Sequence, residues 1–222
     1  MDIYNNKKTY FYKLKSSCNK EWFEYTDHKF LSDLVNNKLP DKNFKKYLIQ
    51  DYIFLQQFLK ILALSIYKSN SFDEISRSVN FIKGIDHEIK LHLNYCNKWK
   101  IPLKSLNNIK IERANSAYTN HVLSVGKRGN NLDIFSCLSP CIIGYGEIGL
   151  KLSKIKNWKK SKYNSWIKMY SSKEYQKIAK DNIDYLDILY KKSKNKNFNK
   201  LKKNFKKSTI LEKDFWSCFI DI

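Results

Sequence analysis

The stretch PDKNFKKYLIQDYIFLQQFLKILALSIYKS, residues 40–69, constrains this chain more than any other feature. Phe44, Tyr47, Leu48, Leu55, Phe58, Leu59 and Leu62 recur at spacings of three and four, the apolar stripe of a long helix. Pro40 and Asp41 mark its start, a proline at the first turn followed by an acid. The same period returns along most of the chain. Glu21–Val35 reads as one helix. Ser71 predicts an N-cap, with Asp73 and Glu74 in the first turn of a helix whose Ile75, Val79, Ile82, Ile85, Ile89 and Leu93 share a face. KIPLKSLNN is a break centred on Pro102. Ile111–Val125, closed by Gly126 and Gly129, then Asn131–Leu152, Ser165–Tyr170, Glu174–Tyr190 and Asn204–Ile220 complete the set. KKSKNKNFNK reads as a flexible link or a solvated helix end. The expectation is an all-α fold of about eight helices in a single domain over residues 1–222. Residues 1–15 would be an N-terminal extension and residues 191–207 a lysine-rich, flexible segment.

Composition narrows the class further. Six glycines and three prolines in 222 residues are too few for a turn-rich β-sandwich. No apolar run is long enough for a transmembrane helix, and MDIYNNKKTYFYKLKSS lacks the apolar core of a secretory signal. Five cysteines show no disulfide or zinc spacing, which fits a reducing, cytoplasmic compartment. The net charge of +21 suggests nucleic acid, but it comes from dispersed lysine, with only three arginines, Arg77, Arg113 and Arg128. Base-edge readers lean on arginine, and no helix-turn-helix with a basic recognition helix is evident. The charge therefore speaks of solubility and non-specific contacts.

The segment SCLSPCIIGYGEIGLKL, residues 136–152, is unusual for this chain. Pro140 precedes Cys141, and Gly144, Gly146 and Gly149 follow, so half the glycines fall beside one cysteine. A thiol near a helix start would feel the positive end of the macrodipole, which favours thiolate; equally, cysteine is a small hydrophobe that is often simply buried. Asp51 borders the core side of the strongest helix, where a buried carboxylate needs a partner or a ligand; alternatively it is a surface acid beside Lys46. Glu212, four residues before Trp216, has an environment suited to raising a carboxylate pKa, or is an ordinary helix acid. Tyr118, Tyr145 and Tyr170 could stack on a planar ligand or belong to the core. His28, His87, His92 and His121 form no metal signature, and no GxGxxG or P-loop occurs, so no metal or cofactor is expected.

Taken together, five blocks in order resemble the TenA family, also called thiaminase II. NNKLPDKNFKKYLIQDYIFLQQF resembles its G-x-LP…F…Y-x-x-QD…FL…F block and SAYTNHVLSV its Y-T-x-H block. LSPCIIGYGEIG resembles L-x-PC-x-x-x-Y-x-x-x-G, YNSWIKMYSSKEY resembles Y…WI-x-x-Y…F, and LEKDFWSCFI resembles E-x-x-FW. The resemblance implies a heme-oxygenase-like helical bundle without heme, assembled as a homotetramer. The implied activity is hydrolysis of thiamin or of its aminomethyl pyrimidine breakdown product, releasing 4-amino-5-hydroxymethyl-2-methylpyrimidine. Cys141 matches the family nucleophile, Asp51 the carboxylate that pairs with the amino and ring-nitrogen edge, and Glu212 the general acid/base. Tyr118, Tyr145 and Tyr170 match pocket tyrosines. Phe54 stands where many relatives have Tyr. Ile142 and Ile143 replace bulkier aromatics, and Gly144 and Gly146 are smaller than usual, so a roomier wall or looser helix is expected. Pro140 should break the helix before the nucleophile, and the glycines should let a second helix pack close. One small cavity lined by the sulfur and both acids follows. A non-catalytic pyrimidine- or thiamin-binding protein and a transcription-associated regulator are the alternatives.

Overall fold

Helix α7 (Asn131–Leu152) is the axis of the molecule: every residue in it is buried except Cys141, Leu150 and Lys151. A helix that is apolar nearly all round must be wrapped by others. The computed structural model describes residues 2–102, 109–194 and 196–220, the His87 side chain apart. Around α7 lie α1 (Tyr10–Ser16), α2 (Asn19–Thr26), α3 (Lys29–Val35), α4 (Asp41–Tyr67), α5 (Phe72–Lys98), α6 (Arg113–Arg128), α8 (Asn164–Ser171), α9 (Lys173–Lys192) and α10 (Phe198–Ser217). The fold is all-α, with no strand among the described residues. None of these helices is long and apolar enough to cross a membrane. α4 and α5 pack side by side as a long hairpin; α8, α9 and α10 pack directly on α7.

Local chemistry explains most of the boundaries. Pro40 occupies the N-cap of α4, and Ser71 caps α5 by accepting from the Glu74 N–H at 3.3 Å. Asn130 and Asp133 form a capping box that starts α7. Glu21–Val35 is two helices rather than one. His28 is extended there and its Nδ1 accepts from the Phe30 N–H at 3.2 Å, capping α3. Buried Trp22 and Tyr25 on one side and Phe30, Leu31 and Leu34 on the other keep the run apolar across the break, but the step from Tyr25 to Phe30 is five residues and leaves the helical period. The break expected around Pro102 extends into residues 103–108, which lie outside the described residues.

Two segments, the first fifteen residues and the lysine-rich stretch 191–207, hold more helix than their composition suggests. Thr9 caps α1, whose Tyr10, Phe11 and Leu14 are buried. Lys15 reaches Glu147 of α7 at 2.9 Å, and the Trp22 indole donates to the same carboxylate oxygen at 3.1 Å. The lysine-rich segment divides: Lys191 and Lys192 close α9, and from Phe198 onward it is α10, where Leu201 and Phe205 are buried one turn apart.

Pro140 does not end α7, which runs unbroken through it. Proline withholds one N–H from the helix ladder. The Tyr25 hydroxyl reaches the Pro140 carbonyl from α2 at 3.1 Å. Gly144 makes that approach possible, since a Cβ there would stand 2.4 Å from the Tyr25 ring. At Gly149 a Cβ would meet the Tyr170 backbone at 2.5 Å, so α8 packs directly on α7 at that point. The glycines thus admit neighbouring groups. The space at Gly144 is filled by Tyr25 and that at Gly146 by Tyr4, and neither widens a pocket wall.

The inward row of α5 differs from the apolar row seen in the sequence. Ser78, Ile85, His92 and Cys96 are buried, whereas Ile75, Val79, Ile82, Ile89 and Leu93 are half-buried to one side. Glu88 lies on the inward row, between Ile85 and His92, at helical spacing.

Candidate active site

Cys141 comes from the middle of α7, ten residues beyond its first, Asn131, so the helix-start macrodipole invoked for this thiol does not act on it. Instead, burial pushes the thiol well above its usual range, and the negative charges of Glu212, Glu88 and Asp51 push the same way. The resting group is a thiol. It is half-buried while the residues flanking it in α7 are buried, because it faces a cavity.

Glu212 approaches from α10, with the Cys141 thiol and the Tyr118 hydroxyl as its polar neighbours. Burial raises its pKa to about 8, with the charge of Asp51 adding to the effect. Its Oε1 and the Tyr118 hydroxyl are buried without an aligned hydrogen bond. Phe54 packs on Tyr118 with ring centroids 4.9 Å apart.

Asp51 is buried, and its partner is not Lys46, which pairs with Glu112 at 2.8 Å. Its Oδ2 lies 2.7 Å from His92 Nε2, and the Tyr47 hydroxyl donates to it at 3.2 Å. The Trp166 indole donates to Tyr47 at 3.0 Å, so α8 braces the group. The histidine contact is one of charge and distance, as neither ring nitrogen makes an aligned hydrogen bond. Tyr145 and Tyr170 pack with centroids 4.9 Å apart, and the Tyr170 hydroxyl donates to Glu88 Oε1 at 2.7 Å.

Cys141, Asp51, Glu212, Phe54, Tyr118, Tyr145 and Tyr170 therefore form one contiguous buried cluster drawn from α4, α6, α7, α8 and α10. The open space is distributed differently from expectation. A narrow cavity of about 80 Å³ is lined by Cys141, Glu88, Phe58, Phe81, Met169 and Tyr175 among others, and its wall includes neither Asp51 nor Glu212. Those two acids are buried in the cluster away from that wall.

The profile of the TENA/THI-4/PQQC family matches residues 16–221. The chain belongs to this family. It is 32% identical to an aminopyrimidine aminohydrolase of Helicobacter pylori over 197 residues, 88% of this chain and 91% of that one. It is 29% identical over 202 residues to an uncharacterized protein of Haemophilus influenzae, covering 90% of this chain and 94% of the other. Among solved structures, a TenA family transcription regulator from a Silicibacter species superposes with a TM-score of 0.86 at 30% identity, covering 94% of this chain and 95% of that one. A TenA homologue from Pyrococcus furiosus gives 0.83 at 25% identity, covering 94% and 98%.

Within this TENA/THI-4/PQQC member, sequence reasoning missed Glu88 and His92. Both lie beside Asp51, and burial lifts Glu88 to about 7, with Asp51 adding and His92 and Tyr170 opposing. A signal was available: Glu88 and His92 are four apart and interrupt the row that runs from Ile85 to Cys96. Polar residues at core-facing positions mark such places.

Proposed function

We propose that the chain hydrolyses the aminomethyl pyrimidine derived from thiamin, releasing 4-amino-5-hydroxymethyl-2-methylpyrimidine and ammonia by cysteine catalysis. The observation that carries this reading is the convergence of Cys141, Glu212 and Asp51, from three helices, in one buried aromatic cluster. The name of the Helicobacter pylori relative supports the same reaction class.

The chemistry follows from the environments. Asp51, braced by Tyr47 and His92, takes the amino and ring-nitrogen edge in a planar two-point contact that sets the ring's orientation. The Cys141 thiol gives its proton to Glu212 and adds to the ring carbon beside the arm. Pairing a raised thiol with a carboxyl at about 8 makes that transfer less uphill than transfer to an ordinary carboxylate. The electron pair placed on the ring expels the amine from the arm. Glu212 then protonates the leaving nitrogen and takes a proton from the water that adds to the methylene. Return of the electrons expels sulfur, which recovers its proton from Glu212. Met169, unbranched and flexible, is the most adaptable side chain on the wall of the cavity beside Cys141.

The deciding measurement is ammonia release from the aminomethyl pyrimidine by the wild type, Cys141→Ser and Glu212→Gln. Release by the wild type and loss in both variants is expected. Tight binding without release would make the chain a binding protein instead.

A further inference from the structure

The cavity beside Cys141 carries an acid that the scheme above leaves unused. Glu88 sits on its wall among Phe58, Phe81, Ile85, Leu91 and Met169. The other acid on that wall is Glu174, exposed at the N-terminus of α9. Tyr170 holds Glu88 in place through the 2.7 Å hydrogen bond to Oε1. Glu88 is also close enough to Cys141 for its charge to act on the thiol.

The position of the reacting bond makes this placement meaningful. In the proposed reaction sulfur bonds to the ring carbon next to the one that bears the arm. The arm's nitrogen is then only a few bonds from Sγ and projects into the open space that Sγ borders. That space is this cavity, whose wall carries Glu88 and neither Asp51 nor Glu212. An aminomethyl arm is an alkyl ammonium at neutral pH. In an apolar cavity an unaccompanied ammonium is costly, and a carboxylate beside it is worth more than in water.

We propose that Glu88 is a second catalytic acid of this site, whose carboxylate receives the ammonium of the substrate's arm, aligns the carbon–nitrogen bond for expulsion and selects substrates with a cationic arm. The inference rests on the proposed pyrimidine hydrolysis. Glu88 forms no covalent bond. The arm enters as R–CH2–NH3⁺, the C–N pair leaves with nitrogen as ammonia, Glu212 supplies the proton that makes ammonium, and water supplies the hydroxyl of R–CH2–OH. The net reaction is R–CH2–NH3⁺ + H2O giving R–CH2–OH + NH4⁺, with Glu88 paired to the cation before and after. With a carboxyl raised only to about 7, Glu88 is readily ionised by an arriving ammonium.

The test compares wild type, Glu88→Gln and Glu88→Asp with two probes. One is 4-amino-5-aminomethyl-2-methylpyrimidine, followed by ammonia release and, in a Cys141→Ser background, by calorimetric binding. The other is 4-amino-2,5-dimethylpyrimidine, whose arm is a neutral methyl, followed by binding alone. Glu88→Gln should lower binding and kcat/KM for the aminomethyl compound by about 10- to 100-fold, the worth of a charge-assisted contact. It should leave the dimethyl compound within about twofold, and Glu88→Asp should recover part of the loss. Equal losses for both probes would make Glu88 merely structural and overturn the proposal, as would no loss for either. If wild type releases no ammonia, the hydrolase reading fails, yet the binding ratio of the two probes still decides whether Glu88 recognises the cation.

Discussion

His92 Nε2 stands 2.7 Å from Asp51 Oδ2, and both side chains are buried between α4 and α5. Burial works against the charged imidazole, and Asp51 and Glu88 more than offset it, so the histidine is raised above its ordinary 6.5. Breaking a buried pair from one side strands the other charge, at a cost of about 3–5 kcal/mol. His92→Gln is therefore expected to destabilise the protein strongly. A raised histidine binds its proton more tightly folded than unfolded. Its contribution is complete below pH 6.5 and is lost as pH climbs through the higher folded value. Thermal unfolding of wild type and variant at pH 6 and pH 9 checks this: the gap should be wider at pH 6.

Glu212 moves stability with pH in the same direction, over a lower and wider range. Its pKa is about 8 in the fold against an ordinary 4.5, so between those values the folded chain keeps a proton that the unfolded chain has lost. Stability on this account falls as pH rises from 4.5 to 8, and Glu212→Gln should remove that slope from the melting-temperature profile. In activity the variant should lose about 10²- to 10⁴-fold, the usual worth of a positioned acid/base. The wild-type kcat/KM should rise with pH toward 8, as the carboxylate that accepts the thiol proton forms.

The Cys141 thiol, raised by burial and by three acids, should react slowly with iodoacetamide at neutral pH despite facing a cavity. Peptide mapping after timed alkylation should find a free small-molecule thiol in the same solution labelled well before Cys141. Rapid labelling at pH 7 would show a resting thiolate and refute this account. Cys141→Ser should reduce ammonia release by about three orders of magnitude or more while leaving the fold intact.

Gly149→Ala tests the support behind the site. The added Cβ would come within 2.5 Å of the Tyr170 backbone, which cannot swing aside as a side chain could. A loss of about 1–3 kcal/mol is expected from overpacking. Because Tyr170 also holds Glu88, the displaced helix should lower activity as well as melting temperature. Gly84→Ala is the control for stability alone, since its Cβ would meet only an Ile178 methyl at 3.8 Å and the melting temperature should hardly move.

The legible part of the chain was its helices and the cluster around Cys141. Residue spacing marked α4 and α7 closely, and the local proline, cysteine and glycine pattern marked where α7 meets α2 and α8. Three features escaped for one reason each. The break at His28 was hidden because apolar residues stand on both sides of it, although the five-residue step from Tyr25 to Phe30 marks the change of face. Helix α1 was missed because seven residues are too few for a clear period, and tertiary burial rather than propensity holds it. The inward row of α5 was misread because the apolar residues lie beside it, whereas the row that faces the core carries buried Ser78 and His92 and half-buried Glu88.

What the amino-acid order alone settled was which of the longer segments are helical and which residue types could do chemistry, because both depend on spacing within a few turns. Only the tertiary structure decided that Asp51 pairs with His92 and not Lys46, that Cys141 sits mid-helix as a raised thiol, and that Glu88 shares its cavity. Those outcomes turn on desolvation and on charges brought together from distant helices, and such terms have no value until the helices have packed.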